Sequence, residues 1–173
     1  MTHLISSSHI IAACPWAHRT LITRALKGLE DVISITIVMP VWQRTSPKDD
    51  EHCGWMFADP KEQPISNSIG LGGPFPSSYP ENMPDPHFSA RSIRELYEKA
   101  GDTEGKYTVP ILFDKKLKTI VSNESSEIIR MLNSEFNDLA ANPDMNLEPK
   151  ELLSKMKEVD EWIYPTINNG VYR

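Results

Sequence analysis

The residues best suited to chemistry form the motif Cys14-Pro15-Trp16-Ala17, which stands where a predicted strand ends and a predicted helix begins. A thiolate at Cys14 would face unpaired backbone N–H groups and the positive end of the helix dipole, and both stabilise a negative charge. Because Ala17 stands in place of a second cysteine, no disulfide can form within the motif, and an external thiol must complete any redox cycle. The alternative is a buried cysteine that acts as a small apolar residue, and position alone does not decide between the two.

Two further segments could hold a ligand beside this thiol. Thr108-Val109-Pro110 precedes a predicted strand, and a cis bond before Pro110 would turn the chain and leave the backbone of Val109 exposed to a peptide-like ligand. Glu124-Ser125 opens a predicted helix, and a helix N-terminus with a hydroxyl group binds carboxylates well. Each segment also has a simpler interpretation, namely a proline at the first residue of a strand and ordinary helix capping.

The elements that must position these residues follow the order β-α-β, loop, α, β-β, α, linker, α. In the first half, the predicted elements are a short strand near 9–13, a helix over 14–29 that stops at Gly28, and a strand over 32–38. In the second half, they are a helix over 89–101, short strands over 107–113 and 119–121, a helix capped by Asn123, a linker over 140–146 and a helix from Pro149. Pro165 is expected to bend or locally loosen this last helix. In the first helix, Ala17, Leu21, Ala25 and Leu29 recur at every fourth position beside Ile22 and Leu26, which predicts the buried face. This order is typical of an α/β, thioredoxin-like domain.

Residues 40–88 show no periodic pattern and are predicted to form a long loop. Half of the 14 prolines lie between Pro60 and Pro86. Such a length is unusual inside a compact domain unless the loop is functional or mobile.

Charge and composition exclude several classes of function. The net charge is −6, and residues 47–88 carry two lysines against seven Asp or Glu. No basic stripe is present to grip phosphates, so nucleic acid is excluded as a partner. No apolar run approaches the roughly 20 residues of a membrane span, and no signal peptide opens the chain, which predicts a cytoplasmic location away from the membrane.

A metal site is not expected. Cys14 and His18 could share a helical face, but a site needs three or four ligands, and His52-Cys53 lies in a loop without supporting spacing. Cys53 is interpreted as an exposed loop cysteine, although a resolving thiol is the other option.

Four segments together carry a resemblance to a known family. They are Cys14-Pro15-Trp16-Ala17-His18-Arg19-Thr20, Thr108-Val109-Pro110, the run from Ile120 to Arg130, and Ile167-Asn168-Asn169-Gly170-Val171-Tyr172. In this combination the chain resembles the omega-like, xi-class glutathione transferases, the glutathionyl-hydroquinone reductases. The resemblance implies that Cys14 is the catalytic cysteine, that glutathione binds at Trp55 (within Gly54-Trp55-Met56-Phe57), Val109, Pro110, Glu124 and Ser125, and that Tyr172 lines the substrate pocket. The family often has a basic residue just before its Thr-Val-Pro segment, and the resemblance therefore adds Lys106 to the glutathione site.

The resemblance further implies glutathione as co-substrate, aromatic glutathione conjugates as substrates, and reduction of S-glutathionyl hydroquinones through a mixed disulfide on Cys14. Two alternatives stay open: a glutaredoxin-like deglutathionylase of small mixed disulfides, and a non-catalytic glutathione-binding or interaction protein.

The domain organisation departs from the family in one respect. Residues 1–141 are predicted to form the thioredoxin-like, glutathione-binding domain, and 142–173 a linker and the first helix of an incomplete all-helical domain. The chain is therefore expected to be either a fragment or a natural short form. Because the last helix has an apolar stripe and few partners, we expect a homodimer through residues 150–172 or poor solubility.

Overall fold

The computed structural model describes residues 6–10, 14–59, 61, 64–68, 72–76 and 82–172. Its strands are β1 (Ser6–Ile10), β2 (Ile33–Ile37), β3 (Trp42–Arg44), β4 (Cys53–Trp55), β5 (Ile111–Asp114) and β6 (Thr119–Ser122). Its α-helices are α1 (Pro15–Lys27), α2 (Ile93–Lys99), α3 (Ser125–Ser134) and α4 (Leu153–Ile163).

Four of the strands form one sheet in the order β2-β1-β5-β6. Strand β1 pairs in parallel with β2 and antiparallel with β5, and β5 pairs antiparallel with β6. Strands β1, β2 and β6 therefore run in one direction and β5 runs in the other.

Alternation along β5 separates the two layers of helices. Ile111 and Phe113 belong to the core cluster that contains Leu96 and Tyr97 of α2. Leu112, between them, belongs to the cluster that contains Ile128 and Leu132 of α3. Because successive side chains of a strand point to opposite faces, α2 covers one face of the sheet and α3, with α1 beside it, covers the other.

The first predicted strand and the predicted long loop differ from the structure. The first strand was predicted near 9–13, but β1 begins at Ser6 and includes the three serines; residues 11–13 lie outside the described residues. Serine has a low strand propensity, yet β1 is central and bonded to neighbours on both sides, so the ladder outweighs that preference. The long loop contains a second, two-stranded sheet of β3 and β4, in which Trp42 pairs with Trp55.

The buried face of α1 agrees with the prediction at Ala17 and Leu29, which are fully buried, and differs at other positions. Ile22 and Leu26 are 50% and 41% exposed, whereas Thr20, Thr23 and Lys27 are buried. The threonine hydroxyls donate to backbone carbonyls one turn earlier, which removes the penalty of burying them.

The end of α1 is held by the linker. Gly28 stops the helix as predicted, in the left-handed conformation at φ +64°. The Lys27 ammonium is fully buried and donates to the carbonyls of Pro143 and Met145 at 3.3 Å and 2.7 Å. The N–H of Ala141 donates to the Gly28 carbonyl at 3.2 Å. We call these contacts the linker clasp.

The last helix begins and ends close to the predicted positions. A short 3₁₀ turn, Lys150–Leu152, precedes α4. At Pro165 the helix widens into a π-helical turn, Tyr164–Asn168, which confirms the predicted loosening. Of the predicted apolar stripe, Met156 and Ile163 are half-buried and the other members are exposed: Leu152, Val159 and Ile167.

The linker clasp predicts unequal effects of alanine at two glycines. A Cβ at Gly28 would lie 2.6 Å from the Cβ of Ala141, whereas a Cβ at Gly101, which has φ +81°, meets nothing within 4 Å. Gly101→Ala should lower the free energy of unfolding by about 1 kcal/mol through backbone strain alone. Gly28→Ala should lower it by a further ~1–3 kcal/mol because the linker must move. Urea denaturation measures both variants, and equal losses would contradict the packing of the linker on α1.

Candidate active site

The direction of the strands brings the three chemical segments to one edge of the sheet. Helices α1 and α3 follow β1 and β6, which run in parallel and so end at the same edge. Strand β5 runs in the opposite direction, so its first residue, Ile111, lies at that edge as well. Cys14, the Val109–Pro110 pair and Ser125 therefore meet there.

Cys14 is the residue immediately before α1. Its backbone is extended, its side chain makes no capping hydrogen bond, and Pro15 follows at the first helical position. The thiol is half-buried and donates to the carbonyl of Val109, with sulfur and oxygen 3.8 Å apart. The sulfur thus lies at the N-terminus of a 13-residue helix and beside the backbone that precedes β5.

The Val109–Pro110 peptide bond is cis, as the ligand-binding interpretation of this segment requires. A buried tyrosine supports the segment, because the hydroxyl of Tyr97 donates to the carbonyl of Thr108 at 2.8 Å. Burial raises the pKa of Tyr97 above its ordinary value, so the hydroxyl remains a hydrogen-bond donor at neutral pH.

The start of α3 differs from the prediction in its cap. Glu124, and not Asn123, is the N-cap, and its carboxylate accepts from the N–H of Ser126 at 3.5 Å. Asn123 instead donates to the hydroxyl of Thr108 at 3.2 Å, which ties this loop to the cis-proline loop. Ser125 is buried, and the side chain of Glu124 is 61% exposed.

These segments enclose a pocket of about 250 Å³. Its floor comes from the cis-proline loop and the start of α3, and its wall from the indole of Trp16 and the widened turn after α4. The lining residues are Trp16, Thr108, Val109, Pro110, Asn123, Glu124, Ser125, Tyr164 and Asn169. The rings of Trp16 and Tyr164 lie 5.9 Å apart, so an aromatic pair forms one side of the pocket.

Four of the residues named from the sequence lie outside this pocket's lining. Cys14 is one of them, although its sulfur lies 3.8 Å from the carbonyl of Val109, which does line the pocket. Trp55 on β4 packs edge-on against Trp42 at 4.7 Å. Tyr172 is 61% exposed, in the turn Gly170–Tyr172. Lys106 is exposed and lies 3.6 Å from the carboxylate of Glu104.

Neither of the two aromatic residues in the lining, Trp16 and Tyr164, has a role assigned from the sequence. Trp16 belongs to the cysteine motif, and an aromatic residue two positions after a reactive thiol is a usable signal for a pocket residue. Tyr164 carried no such signal, because only the widened turn at Pro165 brings it to Trp16.

The described residues contain no cluster of three or more His, Cys, Asp or Glu side chains that could hold a metal ion. The imidazole of His52 instead shares a hydrogen bond with the Thr45 hydroxyl at 2.8 Å. In the part of the chain that the structure describes, no helix has the length and apolarity to cross a bilayer.

Comparison with known proteins gives a consistent set of matches. The model of the glutathione S-transferase N-terminal domain matches residues 13–135. The chain is 40% identical over 166 residues to glutathionyl-hydroquinone reductase YqjG of Escherichia coli, an alignment that covers 95% of this chain and 42% of that protein.

Solved structures agree with this result. The crystal structure of the xi glutathione S-transferase of Phanerochaete chrysosporium is 40% identical with a TM-score of 0.75, and the match covers 97% of this chain and 49% of that one. The glutathione-bound structure of YqjG from Escherichia coli K-12 is 39% identical with a TM-score of 0.76, over 97% and 46% of the two chains. The chain thus spans about half the length of the relatives it matches.

The support of the cis-proline loop by Tyr97 generates a prediction on stability. Tyr97→Phe removes the donor to the Thr108 carbonyl and should lower the free energy of unfolding by about 1 kcal/mol. Because the pKa of Tyr97 is raised in the folded state, the wild-type protein should also lose stability as the pH rises above about 10, where tyrosine ionises in the unfolded chain. That part of the loss should be absent in Tyr97→Phe.

Tyr107→Phe is the control, since the Tyr107 hydroxyl makes no hydrogen bond to a residue that the structure describes and the ring packs beside Tyr97. Denaturation between pH 7 and pH 11 measures all three proteins. If the two variants behave alike, the hydrogen bond to Thr108 does not stabilise the loop.

Proposed function

Because this chain belongs to the glutathione S-transferase family, we propose that it is a glutathione-dependent thiol transferase that reduces S-glutathionyl hydroquinones through Cys14. The observation that carries the proposal is that three features meet at one edge of the sheet. They are the Cys14 thiol at the N-terminus of α1, the Val109 carbonyl 3.8 Å from its sulfur, and the start of α3. The name of the Escherichia coli relative, glutathionyl-hydroquinone reductase, supports the choice of substrate.

The site residues divide the binding of glutathione among them. The backbone at Val109 and Pro110 takes the cysteinyl part, beside the thiol. At the start of α3, the N–H groups and the Ser125 hydroxyl donate to the γ-glutamyl carboxylate, and the exposed carboxylate of Glu124 faces the ammonium group. Opposite charges on the ligand and the site are thereby paired.

The reaction proceeds by two thiol exchanges. The Cys14 thiolate attacks the glutathione sulfur of the conjugate, and a Cys14–glutathione disulfide forms as the carbon–sulfur bond breaks. The electron pair of that bond goes to the ring carbon, which takes up a proton and leaves as the free hydroquinone. A second glutathione thiolate attacks the mixed disulfide, releases oxidised glutathione and restores the Cys14 thiolate. The ring carbon gains two electrons, and the two glutathione sulfurs, one from the conjugate and one from the free thiol, lose one each as they form the disulfide, so the electrons balance.

The roles of Trp55 and Tyr172 stay predictions. Trp55 is proposed to line the glutathione site and Tyr172 the substrate pocket, on the strength of the family resemblance. Both would have to approach a bound ligand from outside the pocket described above.

A second candidate function has its own support. The groups proposed to bind γ-glutamyl and cysteinyl parts of glutathione all belong to residues 1–141, while Tyr172 is exposed. A deglutathionylase of small mixed disulfides needs only the groups that bind glutathione and does not need a pocket for an aromatic ring. Both candidates use Cys14 in the same way and differ in the leaving group.

The nucleophile is tested by substitution and by labelling. Cys14→Ser should abolish turnover of both a glutathionyl hydroquinone and a small glutathione mixed disulfide, while glutathione still binds. In the wild-type protein at pH 6, iodoacetamide should modify Cys14 before Cys53, because only Cys14 lies at a helix N-terminus. Cys53→Ser is the control and should keep full turnover. Equal labelling of the two cysteines, or turnover by Cys14→Ser, would refute the mechanism.

The carboxylate site is tested at the start of α3. Ser125→Ala should weaken glutathione binding by about 1–3 kcal/mol, because a charged group loses a hydrogen-bond partner. Ser134→Ala, at the other end of the same helix, removes a hydroxyl that bonds to the Arg130 carbonyl and should bind glutathione as the wild type does. Isothermal titration calorimetry measures both, and unchanged affinity in Ser125→Ala would leave the serine with a capping role only.

A further inference from the structure

Arg19 joins the two helices whose N-termini form the site. It lies on α1, five residues after Cys14, and its guanidinium crosses to the start of α3. There Nη2 donates to the hydroxyl of Ser125 at 2.6 Å, a contact between residues 106 positions apart in the sequence. The side chain is about one-third exposed.

This hydrogen bond fixes the direction in which the Ser125 hydroxyl can donate. A guanidinium has donors only, so the oxygen of Ser125 must accept from Arg19. The hydrogen of the same hydroxyl is then free for another acceptor. Because the first N–H groups of a helix lack partners within the helix, a carboxylate beside Ser125 can accept from both the hydroxyl and the backbone.

The same guanidinium also supports the aromatic wall. Its Cζ lies 4.8 Å from the centre of the Trp16 ring, and the ring of Tyr164 lies 5.9 Å from Trp16. A cation over an indole face is attracted to it, so Arg19 restrains the orientation of Trp16. The Glu124 carboxylate lies 4.0 Å from Nη2.

The position of the Arg19 side chain lowers the stability of the fold in one respect. The Nε of Arg19 is buried and has no hydrogen-bond partner among the described residues, and an unpaired buried donor destabilises a fold. Burial lowers the pKa of Arg19, yet arginine keeps its charge at neutral pH. The cost indicates a role that a purely apolar contact between α1 and α3 would not perform.

We infer, on the basis of the function proposed above, that Arg19 is a positioning residue that turns the Ser125 hydroxyl toward the γ-glutamyl carboxylate of glutathione. Arg19 makes no contact with the reacting sulfur. It acts through Ser125, and its substitution should therefore change ligand affinity in the same way as the loss of Ser125.

The test compares Arg19→Met with Arg24→Met by isothermal titration calorimetry on the 173-residue chain. Arg24 is the matched control, because it lies on the same helix, burial lowers its pKa as well, and its Nε and Nη2 donate to the carbonyls of Ile33 and Glu30, away from α3. Arg19→Met should bind glutathione about tenfold more weakly, and Arg24→Met within twofold of the wild type.

Two further measurements separate positioning from general support. The double variant Arg19→Met with Ser125→Ala should bind glutathione no more than about twice as weakly as Ser125→Ala alone. The reason is that both substitutions remove the same hydrogen bond from the Ser125 hydroxyl to the carboxylate. A glutathione analogue whose γ-glutamyl α-carboxylate is an amide should bind the wild type and Arg19→Met with similar affinity.

The outcomes distinguish the two proposals. If wild-type protein does not bind glutathione, the proposed function is wrong. If the wild type binds glutathione, three results would each show that the inference about Arg19 is wrong while the proposed function is unaffected. The first is an equal glutathione affinity of Arg19→Met and Arg24→Met, and the second is a double variant whose loss of affinity is the product of the two single losses. The third is a loss of affinity for the amide analogue in Arg19→Met that is as large as the loss for glutathione.

Discussion

The antiparallel placement of β5 between β1 and β6 is the constraint on which the rest of the structure depends. The register that pairs Ser7 with Phe113 places the start of β5 at the edge where β1 ends. A β5 strand running in the opposite direction would carry the cis-proline loop to the far side of the domain. The thiol, the backbone proposed to bind the cysteinyl part and the helix start proposed to bind the carboxylate would then be separated by the length of the sheet.

The same pairing organises the core. Ile111 and Phe113 are fully buried against α2, and Leu112 is buried against α3. A shift of the register by one residue would exchange these faces and remove both clusters at once. The position of the site and the packing of the domain are therefore set by one set of backbone hydrogen bonds.

Local sequence signals predicted the features that depend on a single residue. Gly28 ends α1 because only a residue that tolerates positive φ fits there, and Pro165 loosens the last helix because it has no N–H to donate. The site segments at Cys14, Pro110 and Ser125 were located from the chemistry of strand and helix ends in the same way.

Features that depend on distant partners were not predictable in this way. The apolar pattern placed Ile22 and Leu26 at the flank of the buried face of α1. Both are exposed, because polar residues are buried instead and find partners in the distant linker and in local carbonyl groups. The two-stranded sheet inside residues 40–88 has no apolar alternation to indicate it. Polar contacts hold the adjoining loop instead, such as the ion pair in which Arg94 donates to Asp50 at 2.6 Å.

The linker clasp determines which helices bear a force applied to the residues that follow the linker. The carbonyls of Pro143 and Met145 are bonded to the ammonium of Lys27, at the end of the helix whose other end carries Cys14. Tension applied at the C-terminal side of the linker reaches α3 as well as α1, because the Leu147 N–H donates to Asn133 at 2.8 Å and Arg130 pairs with Glu148 at 2.9 Å. The two helices that begin beside Cys14 and at Ser125 are therefore the elements through which residues beyond 148 pull on the domain.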